Sequence, residues 1–205
     1  MKRIIIILMI LSLFAVFTAC SNNGNIDSKI ISYTVACAES GNEISELFEE
    51  ASNGGGNFFD TEIMVEDTYL GRNGVLAAKI NSMQELIAFS NNYKFPFFNE
   101  ESFAYNSTLS QQVRGYSDFD FQEKSLIIIA FCFTHTYIPA VIDSIETKGE
   151  TMNIIIARPD EVYVAEAVTP HFFIVELDKE AVEGINIINP SIIVKGKQAD
   201  YTDNR

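Results

Sequence analysis

Histidine is nearly absent from this chain: His135 and His171 are the two among 205 residues. A nucleophilic hydrolase sets a hydroxyl or thiol beside a base, so at most two imidazoles could serve, and there is no Gly-x-Ser-x-Gly elbow to present a serine. Cys132 and His135 form the best formal pair, yet residues three apart on a strand point to opposite faces and meet only if the strand ends between them. The same scarcity works against zinc, because Cys132, His135 and His171 have no second close ligand pair to complete a site. Positive charge is also short. Fourteen Lys and Arg stand against 28 Asp and Glu, for a formal charge of −14. With no basic run to neutralise phosphates, nucleic acid is excluded as a partner and anionic head groups are repelled. Long apolar runs are missing too: residues 4–17 fall short of the ~20 needed to cross a bilayer. The glycines Gly54, Gly55 and Gly56 lack a following Gly-Lys-Ser/Thr and come after a helical pattern, which makes them a loop and not a phosphate cradle.

What is present begins at the N-terminus. Lys2 and Arg3 precede the apolar run, and small Ala19 closes it, the order of parts in a secretory signal. Phe17-Thr18-Ala19-Cys20 resembles the bacterial lipobox, with Phe17 where an aliphatic residue is usual. The resemblance implies that Cys20 is lipidated and becomes the new N-terminus. The expected organisation is a signal peptide over 1–19, a polar tether over 20–28, a single domain over 29–196 and a polar tail over 197–205. Removing 1–19 leaves 186 of the 205 residues, and loss of the two positive charges of Lys2 and Arg3 takes −14 to −16. Attachment to the outer side of the cell membrane then rests on the acyl chains of Cys20, and stable anchoring needs two or more chains. Outside the cytoplasm Cys37 and Cys132 are either small core residues or one disulfide.

Along the domain, 29–38 favours a strand. Ile44, Leu47, Phe48 and Ala51 then recur at helical spacing, with Glu43, Glu46, Glu49 and Glu50 on the other face. Residues 58–66 and 74–80 read as a hairpin around Asn73-Gly74. Ser82-Met83-Gln84-Glu85 matches a capping box and opens a helix over 82–91. Residues 91–115 crowd Phe95, Phe97, Phe98, Phe103 and Tyr105 into a stretch with no sustained period, with a further helical turn over 107–114. Two readings fit the rings: they cap the core, or they form an exposed partner surface. The C-terminal half is β-rich, with strands over 125–133, 137–147 and 150–158, one or two more over 163–177 around Pro170, and a last one over 186–194 broken near Pro190. Short turns between consecutive strands predict antiparallel pairing. The predicted class is therefore α+β, a single domain of mainly antiparallel sheet with two or three short helices packed on one face.

The stretch 80–178 is similar to the C-terminal domain of the PrcB-type protease-complex lipoproteins. The shared parts are the capped helix, Asp120-Phe121 leading through Lys124 into Leu126-Ile127-Ile128-Ile129, a hairpin, and the proline-containing strand from Thr169-Pro170-His171 to Leu177-Asp178-Lys179. Where that family often has a glycine-rich turn with a tyrosine, Thr134-His135-Thr136-Tyr137-Ile138-Pro139 holds no glycine. The resemblance implies a noncatalytic subunit that stabilises or presents an exported protease, and it implies no catalytic residues.

Paired carboxylates such as Asp118 with Asp120, or Asp160 with Glu161, arise readily among 28 acids, and no twelve-residue calcium loop is present. The expected function is a lipid-anchored, noncatalytic protein-binding module with no cofactor and no metal, contacting its partner through Phe95, Phe97, Phe98, Phe103 and Tyr105 or through an open sheet edge. Rival expectations are a small-molecule or metal-binding lipoprotein and an exported hydrolase.

Overall fold

The continuous apolar run Leu126-Ile127-Ile128-Ile129 requires a strand buried on both faces, and that strand organises the fold. In the computed structural model, which describes residues 28–53, 75–133, 140–159 and 169–195, it is β4 (Lys124–Phe133). Around it, in chain order, are β1 (Lys29–Ile30), β2 (Thr34–Ser40), α1 (Asn42–Asn53), β3 (Leu76–Ile80), α2 (Met83–Tyr93), α3 (Thr108–Gly115), α4 (Asp120–Glu123), β5 (Val141–Lys148), β6 (Thr151–Pro159), β7 (Thr169–Asp178) and β8 (Ile187–Lys195). Short 3-10 turns occupy Phe103–Asn106 and Lys179–Val182. The signal and Cys20, the first strand of the 58–80 hairpin with its Asn73-Gly74 turn, the glycine run, residues 134–139 with His135, Asp160, Glu161 and the tail lie outside the described residues.

Two four-stranded sheets form, in the orders β2-β7-β4-β3 and β1-β5-β6-β8. Every pair is antiparallel except β6 with β8. The fold is thus α+β and mainly antiparallel sheet, as predicted, with four α-helices among the described residues instead of two or three. The parallel pair arises because the chain leaves β6, crosses to the first sheet as β7, and returns as β8.

The strand period of two sorts β4 and β7 into two cores. Leu126, Ile128, Ala130, Cys132, Phe172 and Ile174 face the helices, where Ile44, Leu47, Phe48, Leu86, Phe89, Leu109 and Val113 meet them. Ile127, Ile129, Phe131, Phe173, Val175 and Leu177 face the second sheet and its Ile142, Ile145, Met152, Ile154 and Ile156. The molecule is layered as helices, inner sheet and outer sheet.

Several local expectations change. The single strand expected over 29–38 divides: β1 joins the outer sheet, Ile31 N–H donates to Ile145 carbonyl at 2.9 Å, and the chain then crosses to the inner sheet as β2. The last strand is not broken near Pro190, which pairs in register with Ile154. As an edge strand β8 needs ladder donors on one side only, so a missing N–H is tolerated there. The capping box holds, since Glu85 N–H donates to Ser82 Oγ at 3.1 Å. Its return contact is displaced by one residue: Asn81 N–H donates to Glu85 Oε2 at 2.7 Å.

Candidate functional site

The aromatic segment that follows α2 divides into a buried and an exposed half. The helix ends at Lys94, a non-glycine residue in the left-handed conformation at φ 60°, which turns the chain inward. Buried Ser90 Oγ donates to Phe95 carbonyl at 2.6 Å and fixes that turn. Phe95 then enters the helix-side core, stacked on Phe97 at 5.2 Å and edge-on to Phe48 at 5.6 Å and Phe172 at 5.3 Å. Phe95 and Phe97 are 2% and 0% exposed, so as partner-contacting residues they are corrected to core. The physical reason is that both rings pack edge-on over Phe172, at 5.3 and 5.7 Å, in the core between the helices and the sheet. Phe98 is half-buried against the same core.

Beyond it the chain returns to the surface. Ser102 caps the 3-10 turn, accepting from Ala104 N–H at 3.0 Å. Glu50 of α1 grips the turn from below: Ser102 Oγ donates to its Oε2 at 2.5 Å and Phe103 N–H to its Oε1 at 3.1 Å. Arg114 of α3 closes the segment, donating to Phe97 carbonyl at 2.8 Å and Tyr105 carbonyl at 2.6 Å, with its guanidinium 3.6 Å over the Tyr105 ring. Tyr105 is half-buried under that cation. Phe103, by contrast, is 89% exposed on this braced turn. Beside it lies a mostly polar groove of about 430 Å³ whose lining includes Glu39, Glu46, Asn106, Ser107 and Thr108, with Ile44, Ala104 and Leu109 almost wholly buried beneath them. Of the five predicted rings, one is therefore fully presented. Glu50 was read only as part of a solvated helix face, because its partners lie more than fifty residues away in sequence.

The thiols and the buried imidazole are placed apart. Cys37 pairs across β2 and β7 with Ile174, whereas Cys132 pairs with Pro170, so β7 separates them and both are free. Burial pushes both thiols up to about 12, helped at Cys37 by the Glu39 carboxylate. His171 projects to the opposite face of the sheet from Cys132 and stacks on Phe131 at 5.0 Å. Desolvation lowers its pKa to about 4, which keeps it neutral at pH 7. Asp120 is held below its usual range by hydrogen bonds from Ser117, and Asp118 is exposed. Among the described residues no group of three or more His, Cys, Asp or Glu is placed to hold a metal ion.

Two polar features lie at the far end of the sheets. Glu176 accepts from Tyr116 at 3.0 Å and from Lys124 at 2.7 Å, and burial together with that carboxylate raises the Tyr116 pKa. Nearby is a cleft of about 640 Å³ that includes Lys79, Glu123, Asp178, Lys179, Glu180 and Glu183. Its lysines brace the backbone: Lys79 donates to the carbonyls of Val182 and Ile185, and Lys179 to Phe121 carbonyl at 2.7 Å. No helix among the described residues is long and apolar enough to cross a membrane. Compared with known proteins, the chain matches no family model, no curated protein and no solved structure.

Proposed function

We propose that this chain is a bacterial lipoprotein, anchored outside the cytoplasm through acylated Cys20, whose domain is a noncatalytic protein-binding module. Its nearest role by resemblance is an accessory subunit of an exported protease. One observation carries the binding reading: a phenyl ring, Phe103, stands 89% exposed on a turn that Glu50, Ser102 and Arg114 hold in place. Exposed aromatics on rigid backbone are characteristic binding anchors, because they bury large area at little entropic cost. The lipid anchor rests on the sequence alone, on Lys2, Arg3, the apolar run and Ala19-Cys20.

The test is affinity capture of the tagged full-length protein after mild crosslinking in its own cells, with a Cys20→Ala control and metabolic labelling with a fatty acid. The expected result is one dominant exported partner, and label that disappears in Cys20→Ala. Absence of any reproducible partner would sink the binding reading, and label retained in Cys20→Ala would sink the anchor.

A further inference from the structure

Resting on the lipid-anchor and protein-binding readings, we infer that Phe103 is presented on the side of the domain turned away from the bilayer, and that the partner it meets is an exported protein whose docking surface stands clear of the lipid. Two observations carry this. The first is where the chain enters the fold. Ser28 lies eight residues beyond Cys20, and its hydroxyl donates to Glu146 Oε2 at 2.8 Å, so the chain from the anchor runs directly into β1 at the edge of the outer sheet. Whatever conformation they take, eight residues span at most ~28 Å, which keeps that edge close to the membrane. Phe103 belongs to the opposite layer. Its turn is held by Glu50 of α1, and α1 packs through Ile44, Leu47 and Phe48 on the far face of the inner sheet. Stacked sheets lie ~10 Å apart and a helix adds ~10 Å more, so roughly 20 Å of protein separates the entry edge from the ring. Bringing Phe103 to the bilayer would lift β1 by that amount and hold the connecting residues near full extension, which few backbone conformations satisfy. Every shorter span leaves the outer sheet toward the lipid and the ring away from it.

The second observation is charge. The exposed charges next to Phe103 are acidic: Glu100 and Glu101 precede it, and Glu46 lines the groove beside it. At the entry edge both signs are exposed, with Lys29 and Lys148 near Glu150. An anionic membrane surface therefore repels the ring's side of the domain more than the entry edge.

The first experiment places a thiol-reactive fluorophore on the full-length protein purified from its own cells, at Ile30→Cys on β1 or at Asn106→Cys, which ends the turn of Phe103 and keeps the ring. Cys37 and Cys132 are buried and do not compete for the dye. The protein is reconstituted into vesicles of phosphatidylethanolamine and phosphatidylglycerol with acceptor-labelled head groups. Energy transfer to the lipid is expected to be roughly threefold or more stronger from position 30 than from position 106. Equal transfer, or more from position 106, overturns the orientation while leaving the anchor intact. No transfer from either position, as with Cys20→Ala, overturns the anchor and the inference together.

The second experiment places a photocrosslinker in the full-length protein in its own cells, as Phe103→p-benzoylphenylalanine. The expected adduct is with an exported protein, joined at a segment outside any membrane span. An adduct with phospholipid, or with a membrane-spanning segment, overturns the inference. No adduct, together with an empty affinity capture, overturns the partner half of it along with the binding reading.

Discussion

The two faces of the inner sheet are packed by different chemistry. Toward the outer sheet the filling is largely aliphatic, with Ile127, Ile129, Ile142, Ile145, Ile154, Ile156 and Val175 closing a layer between two regular surfaces. Toward the helices the aliphatic residues are joined by six phenylalanines, Phe48, Phe89, Phe95, Phe97, Phe121 and Phe172. β-branched side chains suit the even gap between sheets, whereas rings bridge the uneven gap beneath short helices and a non-helical segment. The aliphatic layer stabilises and is sealed. The helix-side layer continues through residues 95–105 to the surface, and it is there that one ring, Phe103, becomes exposed.

The largest test of this contrast compares two phenylalanines six residues apart. Phe97→Ala should cost about 3–5 kcal/mol in urea unfolding, since it leaves a cavity among Phe95, Phe172 and their neighbours. Phe103→Ala should stay within about 0.5 kcal/mol of the parent. Similar costs at the two positions would erase the division between core and anchor.

The sealed layer is probed by pH. His171 has a folded pKa of about 4 against the ordinary 6.5 of a solvated imidazole, so between those limits the unfolded chain binds the extra proton. Its stabilising contribution is complete above about pH 6.5, declines as pH falls toward about 4, and is level below that, a total of about 3 kcal/mol. Urea unfolding of wild type and His171→Phe across this window should show the difference between them changing in that direction. A constant difference would mean that the imidazole is hydrated and that the layer is open at this end.

How much of this was legible in sequence follows from the range of the interactions. β4 was readable because burial on both faces leaves an uninterrupted apolar run, and α2 because Ser82 and Glu85 cap it locally. Phe95 and Phe97 were not assignable to core or surface, since no period governs an irregular segment and their partners Phe48 and Phe172 are distant in sequence. The division of 29–38 between two sheets was equally hidden, because the apolar pattern is the same whichever sheet receives it. Of the site, the ring Phe103 was named, but its brace was not: Glu50 resembles Glu46 and Glu49 until Ser102 is brought above it.

That brace is the next test by size. Glu50→Gln keeps the side-chain length and removes the charge from two hydrogen bonds, one to Ser102 Oγ and one to Phe103 N–H. The expected loss is about 1 kcal/mol in global unfolding, because the carboxylate is only half-buried. Amide exchange at 102–105 should accelerate more than at β4. Uniform acceleration would show that the turn shares the stability of the core and carries no separate role as a platform.

The smallest effect concerns the point where the chain passes from helix to buried ring. Lys94 holds φ at 60°, where its Cβ is strained and glycine is not, and burial of Phe95 one residue later fixes that geometry. Lys94→Gly should therefore stabilise the fold by about 0.5–1 kcal/mol even though glycine is the more flexible residue in the unfolded chain. Lys94→Ala should give no gain, since it keeps the Cβ. If thermal unfolding shows glycine and alanine equal, the left-handed residue is not what turns the chain inward, and the Ser90 hydroxyl on Phe95 carbonyl must hold the aromatic segment on its own.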